Sequence, residues 1–325
     1  MPLPERQLIS RIRRLTRRTG AGAVAERLIG GIGDDCAVLR IPAGHDTLVT
    51  TDFSLEGVHF RRDWDSPGNI GHRCLTRGLS DIAAMGGEPV AVFLSLALPA
   101  RTPKRWADGF LKGLLALANE FGVPLAGGDT SQSPDKILAD IIVVGSVPKG
   151  QAILRSRARP GDLVYVTGDL GGAAAELDEL YSTHKRKTAR CLSALPQPRI
   201  NVGRTLRERG LATAMIDISD GLSTDLSHIC EESDVGAQVW ENAIPRATFR
   251  KRPVDLRFAL HGGDAYELLF TSPKQTLVPA SIGGVKITAM GEITRNRSIF
   301  LLQRNGSRAV LEPEGWEHFH RRARR

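Results

Sequence analysis

Apolar positions along this chain recur with two periods, and the period changes from segment to segment. Glu5 to Thr19 places its apolar residues on one helical stripe and runs out at Gly20 and Gly22, which predicts a helix. The runs CAVLRI and TLVTTD are apolar and β-rich, and the Pro42-Ala43-Gly44 link between them predicts that they pair as strands. Ile70, Cys74, Leu75, Ile82 and Ala83 then fall near a 3.6 spacing, predicting a helix from about Ser66 to Met85. PVAVFLSLALP reads as a strand between prolines, and TPKRWADGFLKGLLALANEFG as a helix with proline near its start and glycine at its end. VPLAGGDTS and ILADIIVVGSV read as two further strands around a glycine–aspartate turn.

A domain boundary is expected near Pro148-Lys149-Gly150, giving domains 1–149 and 150–325. Beyond it, GDLVYVTGDLGGAAAELDEL reads strand, glycine turn, helix. AMIDISDGLSTDLSHICEES repeats that pattern, and VGAQVW adds a strand. Strands and helices alternate in both halves, so the fold class is α/β (α+β) in two domains.

Composition narrows the possibilities without choosing among them. The chain has 325 residues, 41% hydrophobic and 25% charged, enough to bury a sizeable core. Its four cysteines form no Cys-x-x-Cys pair, which argues against a zinc ribbon or disulfide framework and suits a reducing cytoplasm. The N-terminal segment has basic residues but no continuous apolar stretch, so no secretory signal is expected. The longest apolar run, Val90 to Leu98, is too short to span a membrane. Net charge is +8, but much of the excess sits in Arg11–Arg18 and in HRRARR at the C-terminus. With only 5% aromatics the charge reads as solvated surface, and nucleic acid is an unfavoured partner.

The chemistry lies in five short acidic stretches: GIGDD (Asp34, Asp35), TTD (Asp52), LSD (Asp81), GGDT (Asp129) and IDISDGL (Asp217, Asp220). Most place a carboxylate at an expected strand end or turn, and Asp81 falls in a predicted helix. Taken alone, any one of them reads as a turn or a helix cap rather than a ligand, and Ser219 or Asp220 is an obvious cap for the helix that follows. Gathered in space, such groups would repel one another unless cations lay between them. Hard divalent ions with phosphate oxygens would resolve that repulsion, making Asp34-Asp35 one wall of a multi-magnesium site. No Gly-x-x-x-x-Gly-Lys-Ser/Thr loop, Gly-x-Ser-x-Gly elbow or His-x-x-x-His pair offers another chemistry.

GIGDDCAVL, TTDFSLEGVHF, LSDIAAMGGEPV, GGDTSQSP, IDISDGLSTDL and GGDAYELLFT occur in the order seen in thiamine-monophosphate kinases, and the chain resembles that family from about Ile29 to Phe319. The resemblance implies a two-domain PurM-like fold whose N-terminal domain dimerises through its strands. It implies a cytoplasmic homodimer that transfers phosphate from ATP to thiamine monophosphate between its two domains, using several Mg2+ ions, with K+ a further candidate ion. By position it implies Asp35, Thr50, Thr51, Asp52, Asp81, Asp129, Asp217 and Asp220 as metal ligands. Gly128, Asp129, Arg155 and Ser219 match ATP contacts, and His59, Asp264 and Trp316 match contacts to the thiamine phosphate. The family usually reads Gly-Gly-Glu-Asp-Tyr-Glu-Leu where this chain has Gly262-Gly263-Asp264-Ala265-Tyr266-Glu267-Leu268, which shortens one acidic side chain and removes another.

Overall fold

A computed structural model describes residues 5–16, 27–32, 36–183 and 195–319. Its described residues divide into two compact units. The first takes those up to Ile82, Gly87–Ala152 and 195–200; the second takes Ala83–Gly86, Ile153–Thr183 and those from Asn201 on.

The first unit runs α1 (Glu5–Thr16), β1 (Leu28–Gly30), β2 (Val38–Leu39), β3 (His45–Leu55), α2 (Pro67–Ala84), β4 (Glu88–Pro99), α3 (Lys104–Glu120), β5 (Leu125–Ser133) and β6 (Leu138–Pro148). Its sheet has the order β3-β6-β4-β5, with β4 and β5 parallel and the other pairs antiparallel. The helix α3 supplies the crossover that a parallel pair requires. Alternation along β4 sends Leu94, Leu96 and Leu98 into the core, each at most 4% exposed. Leu75 and Leu79 of α2 and Phe110, Leu111 and Leu114 of α3 are all fully buried. The two helices cross at glycines: a Cβ on Gly113 would stand 1.8 Å from the carbonyl oxygen of Gly68, and one on Gly71 2.0 Å from that of Phe110. Only glycine allows the backbones to approach so closely.

CAVLRI and TLVTTD do not pair with each other, contrary to the sequence reading. Val38–Leu39 pairs with β1, whereas β3 forms an eleven-rung antiparallel ladder with β6, from His45↔Pro148 to Leu55↔Leu138. A two-residue strand offers few cross-strand contacts, and the long apolar run of β6 offers many.

The second unit runs β7 (Asp162–Thr167), α4 (Gly172–Thr183), α5 (Ile200–Glu208), β8 (Ala214–Asp217), α6 (Leu222–Ser233), β9 (Gly236–Trp240), β10 (Thr248–Phe249), β11 (Arg252–Pro253), α7 (Leu256–His261), β12 (Leu268–Pro273), β13 (Ser281–Ile282), β14 (Val285–Thr294), β15 (Ile299–Leu302) and β16 (Arg308–Val310). Its main sheet has the order β16-β15-β9-β14-β7-β12-β8, with β13 added beside β14. Val164, Ile216, Leu226, Ile229, Leu269 and Met290 lie in its core. Helix–strand alternation stops after α7, and five strands follow in succession. Within that run β13–β14 and β15–β16 are antiparallel neighbours that need only turns between them, while β15 lies parallel to β9.

Candidate active site

Alternation along β3 and helical periodicity along α2 meet rung by rung. Ser54, Asp52 and Thr50 occupy every second position of the strand; Cys74, Arg77 and Asp81 occupy successive turns of the helix. Ser54 hydrogen-bonds the Cys74 thiol. Arg77 Nη1 lies 3.7 Å from Asp52 Oδ1, and the Thr50 hydroxyl donates to Asp81 Oδ2. Burial pushes the Cys74 thiol up to about 12, so it stays a neutral packing group beneath the charged rungs. Thr50, Asp52 and Asp81 thus form one group of hard oxygen donors at the edge of the sheet.

Two expected ligands lie elsewhere in this unit. The Thr51 hydroxyl points to the opposite face of β3 and donates to Asp140 Oδ1 at 2.7 Å. Asp129 sits inside β5 rather than in a turn, and its Oδ1 accepts from the amide of Thr130 at 2.8 Å. It shares a rung with Ser95, Asp140 and Phe53, so it too faces away from α2. Strands β3 and β5 are the two edges of the sheet, three strand spacings apart, or roughly 14 Å. One chain therefore does not bring Asp129 to Asp52. Gly128 is held at φ +143 against the Leu94 backbone. Beyond β3, His59 Nδ1 accepts from the Leu55 amide at 3.0 Å, which leaves Nε2 to carry the proton of the neutral ring. Asp34 and Asp35 lie outside the described residues.

In the second unit the candidates gather on the loop after β8. Asp217 ends that strand, 3% exposed, and Ser219 and Asp220 follow it. The amides of Asp264 and Tyr266 donate to the carbonyls of Ser219 and Ile218, both at 2.8 Å. Asp264 and Tyr266 have φ of +60 and +52, backbone conformations that side chains disfavour. Tyr266 is 2% exposed and donates its hydroxyl to Asp264 Oδ1 at 2.7 Å, orienting that carboxylate. Ala265, where the family usually has aspartate, packs against the core. The Trp316 amide donates to the Asp220 carbonyl at 2.9 Å, and its indole is 43% exposed. Arg155 lies between β8 and the end of α6: the carbonyl of Leu154 beside it accepts from the Met215 amide at 3.3 Å, its own carbonyl accepts from the Ser233 hydroxyl at 2.8 Å, and its side chain is exposed.

Sequence reasoning missed Asp225. Neither Ser219 nor Asp220 caps α6; Gly221 occupies that position, at φ +124 and without a side-chain cap. Asp225, 2% exposed, reaches back so that its Oδ2 accepts from the amides of Asp220 and Gly221 at 3.2 and 3.0 Å. The signal was present, since an acid in the first helical turn can reach amides before the helix. Burial, and then the nearby Asp217 and Asp220, push its carboxyl up to about 8. An unfolded aspartate titrates near 3.8. Between those values the folded chain keeps a proton that the unfolded chain has lost, so metal-free stability falls as pH rises from about 4 to about 8. The slope reaches at most about 1.4 kcal/mol per pH unit. Asp225→Asn should flatten it, read as urea midpoints in EDTA across that window; an unchanged slope would remove Asp225 as its source.

The donor chemistry of both groups fits Mg2+, since it is built from carboxylate and hydroxyl oxygens. Asp220, Asp225 and His228 also place one ligand atom each within 4.8 Å of one another. Among the described residues, no helix is long and apolar enough to cross a membrane.

Comparison with known proteins adds to this geometry. Residues 33–147 match the AIR synthase related protein N-terminal domain, and residues 159–300 its C-terminal domain. Thiamine-monophosphate kinase of Salmonella typhimurium is 38% identical over 303 residues, covering 89% of this chain and 91% of that protein. The crystal structure of thiamine-monophosphate kinase from Stenotrophomonas maltophilia superposes with a TM-score of 0.78 at 33% identity, over 93% of this chain and 96% of that one. A structure described as AaThiL complexed with AMPPCP and TMP gives 0.74 at 29% identity, over 96% of each chain. The two-domain PurM-like fold is therefore that of this chain as well.

Proposed function

The chain belongs to the thiamine-monophosphate kinase family of AIR synthase related proteins, and from that membership we propose that it phosphorylates thiamine monophosphate with ATP, giving thiamine diphosphate and ADP. The observation that carries the reading is the Thr50–Asp52–Asp81 group, whose oxygens are held in place by strand and helix together. These residues would hold Mg2+ in the first unit, as Asp217 and Asp220 would within the second. Bound Mg2+ would supply neutralisation of phosphate charge.

The acceptor is itself an ionised phosphate, so no side chain has to remove a proton from it. What the chain contributes is positioning. Arg77 holds Asp52, Thr50 holds Asp81, and Asp225 holds the amides of the loop that carries Asp220. Asp264, oriented by Tyr266, and the indole face of Trp316 suit a flat cationic ring system. The shortened acid and the missing carboxylate leave both of those groups in place.

A second copy of the chain is the proposed partner. On the face of β3 turned away from α2, Val49 and Phe53 are 68% and 52% exposed, an apolar strip beside an open edge. Two such sheets facing each other could set the β5 edge of one chain beside the β3 edge of the other, which would bring Asp129 to the edge strand that carries Thr51 and Asp52. Sedimentation equilibrium should return a dimer; a monomer at assay concentration would remove this arrangement.

The activity is tested by coupled ADP release with Mg2+, ATP and a panel of phosphorylated acceptors. Thiamine monophosphate should be strongly preferred. With a chiral γ-phosphorus, direct transfer should invert configuration. No stimulation by thiamine monophosphate would overturn the substrate, and net retention would overturn direct transfer.

A further inference from the structure

We propose that a cavity of about 810 Å3 within the first unit is a separate binding site for a small phosphate-bearing anion. It is framed by the segment after β3, the first residues of α2 and α3, and the turn between β5 and β6, all within that unit. Its volume is that of an ordinary small-molecule site. Four cations line it, Arg61, Arg62, Arg105 and Lys136, against two carboxylates, Glu56 and Asp63.

Both carboxylates are already engaged. Asp63 takes both arms of Arg61, at 3.1 and 2.9 Å. Glu56 accepts from Arg62 at 2.5 Å and, through its other oxygen, from the Ile137 amide at 3.0 Å. Arg105 and Lys136 have no anionic partner among the described residues. The ammonium of Lys136 rests against Gly57, where a Cβ would come within 3.0 Å of Nζ.

The wall of the cavity also breaks a local rule. Helix N-termini carry partial positive charge and ordinarily attract acids. Yet α3 begins with Lys104 and Arg105, has no acid in its first turn, and receives no side-chain cap. The start of α2, whose Pro67 lines the same cavity, is already served by Ser66 Oγ, which accepts from the Asn69 amide at 3.1 Å, and by the Asp65 carboxylate just before it. Uncompensated cations beside the start of α3 leave the stabilisation of an oxyanion unclaimed. Trp106, 7% exposed, gives the cavity part of its wall. A bound oxyanion would relieve the crowding of positive charge at this wall.

The test uses inorganic pyrophosphate as the probe, with the full chain in EDTA, by equilibrium dialysis at low salt. The unmodified chain should bind pyrophosphate, and Arg105→Glu combined with Lys136→Glu should lower that affinity by at least tenfold. Lys112→Glu combined with Lys149→Glu makes the same change in charge on surface outside the cavity and should leave affinity within threefold. Circular dichroism and the KM for thiamine monophosphate should be unchanged in both doubles. Absent binding, binding indifferent to the first double, or an equal loss in the second would overturn the site. A raised KM in the first double would assign the cavity to the kinase substrate and overturn its separateness.

Discussion

An equimolar mixture of Asp52→Ala and Asp129→Ala chains should recover kinase activity that neither variant has alone. Each variant removes one carboxylate from a site that works by electrostatic neutralisation, so turnover should fall by about 10^3-fold in each. The fold should survive both. Asp52 is a partly exposed partner of Arg77, worth no more than about 1 kcal/mol, and Asp129 bonds only its neighbour's amide among the contacts described. Complementation follows from the sheet order, which sets the two residues on opposite edges of one chain. If the β3 edge meets the partner's β5 edge, a mixed dimer has one site with both carboxylates and one with neither. Random exchange makes half the dimers mixed, so about a quarter of normal activity should return. Near-normal turnover in a single variant would clear that carboxylate of a role. A mixture as inactive as its components would sink the shared site while leaving the kinase assignment standing.

Gly128→Ala should cost the first unit about 3 kcal/mol or more, read by urea unfolding. A Cβ there would lie 1.9 Å from the Leu94 carbonyl oxygen and 2.8 Å from the Leu94 nitrogen, and φ is +143. The obstruction is backbone of the paired strand β4, so it cannot rotate aside, and relief requires opening the β4–β5 pairing. Gly150→Ala is the control. That glycine also has positive φ, +73, but nothing lies within 4 Å of its Cβ position. Its cost should stay near 1 kcal/mol, the conformational penalty alone. Equal costs at the two positions would show that the close approach of β5 to β4 is not what demands glycine. The same substitution should also disturb Asp129 next to it, so activity should fall even in the protein that remains folded.

How far the site could be read in advance differs from residue to residue. Asp81 falls in a helix in both the sequence reading and the structure, because Ile70, Cys74, Leu75 and Ile82 mark one buried stripe whatever else the chain does. Asp129 was assigned to a turn because Gly127-Gly128-Asp129 has turn composition; in the structure those glycines lie within a strand. Glycine permits a turn but does not require one. Asp225 escaped notice because its role depends on burial beneath a loop, and its spacing alone is that of any polar residue on a helix. The strands after α7 escaped because the short runs that form them, such as Ser281–Ile282, carry little periodicity of their own.

The sequence alone determined where α1, α2, α3, α4 and α6 run, where the acidic motifs fall, and which family they resemble; it did not mark α5 or α7. Those properties are local: they depend on period, on turn chemistry and on residues adjacent along the chain. Tertiary structure alone decided that β3 pairs with β6 rather than with the run before it, that Thr51 turns away from Thr50 and Asp52, and that Asp129 stands on the opposite edge of the sheet. Strand order and facing are set by contacts between residues tens of positions apart, and a one-residue step reverses the face on which a side chain stands. No pattern within a single strand records which neighbour will lie beside it.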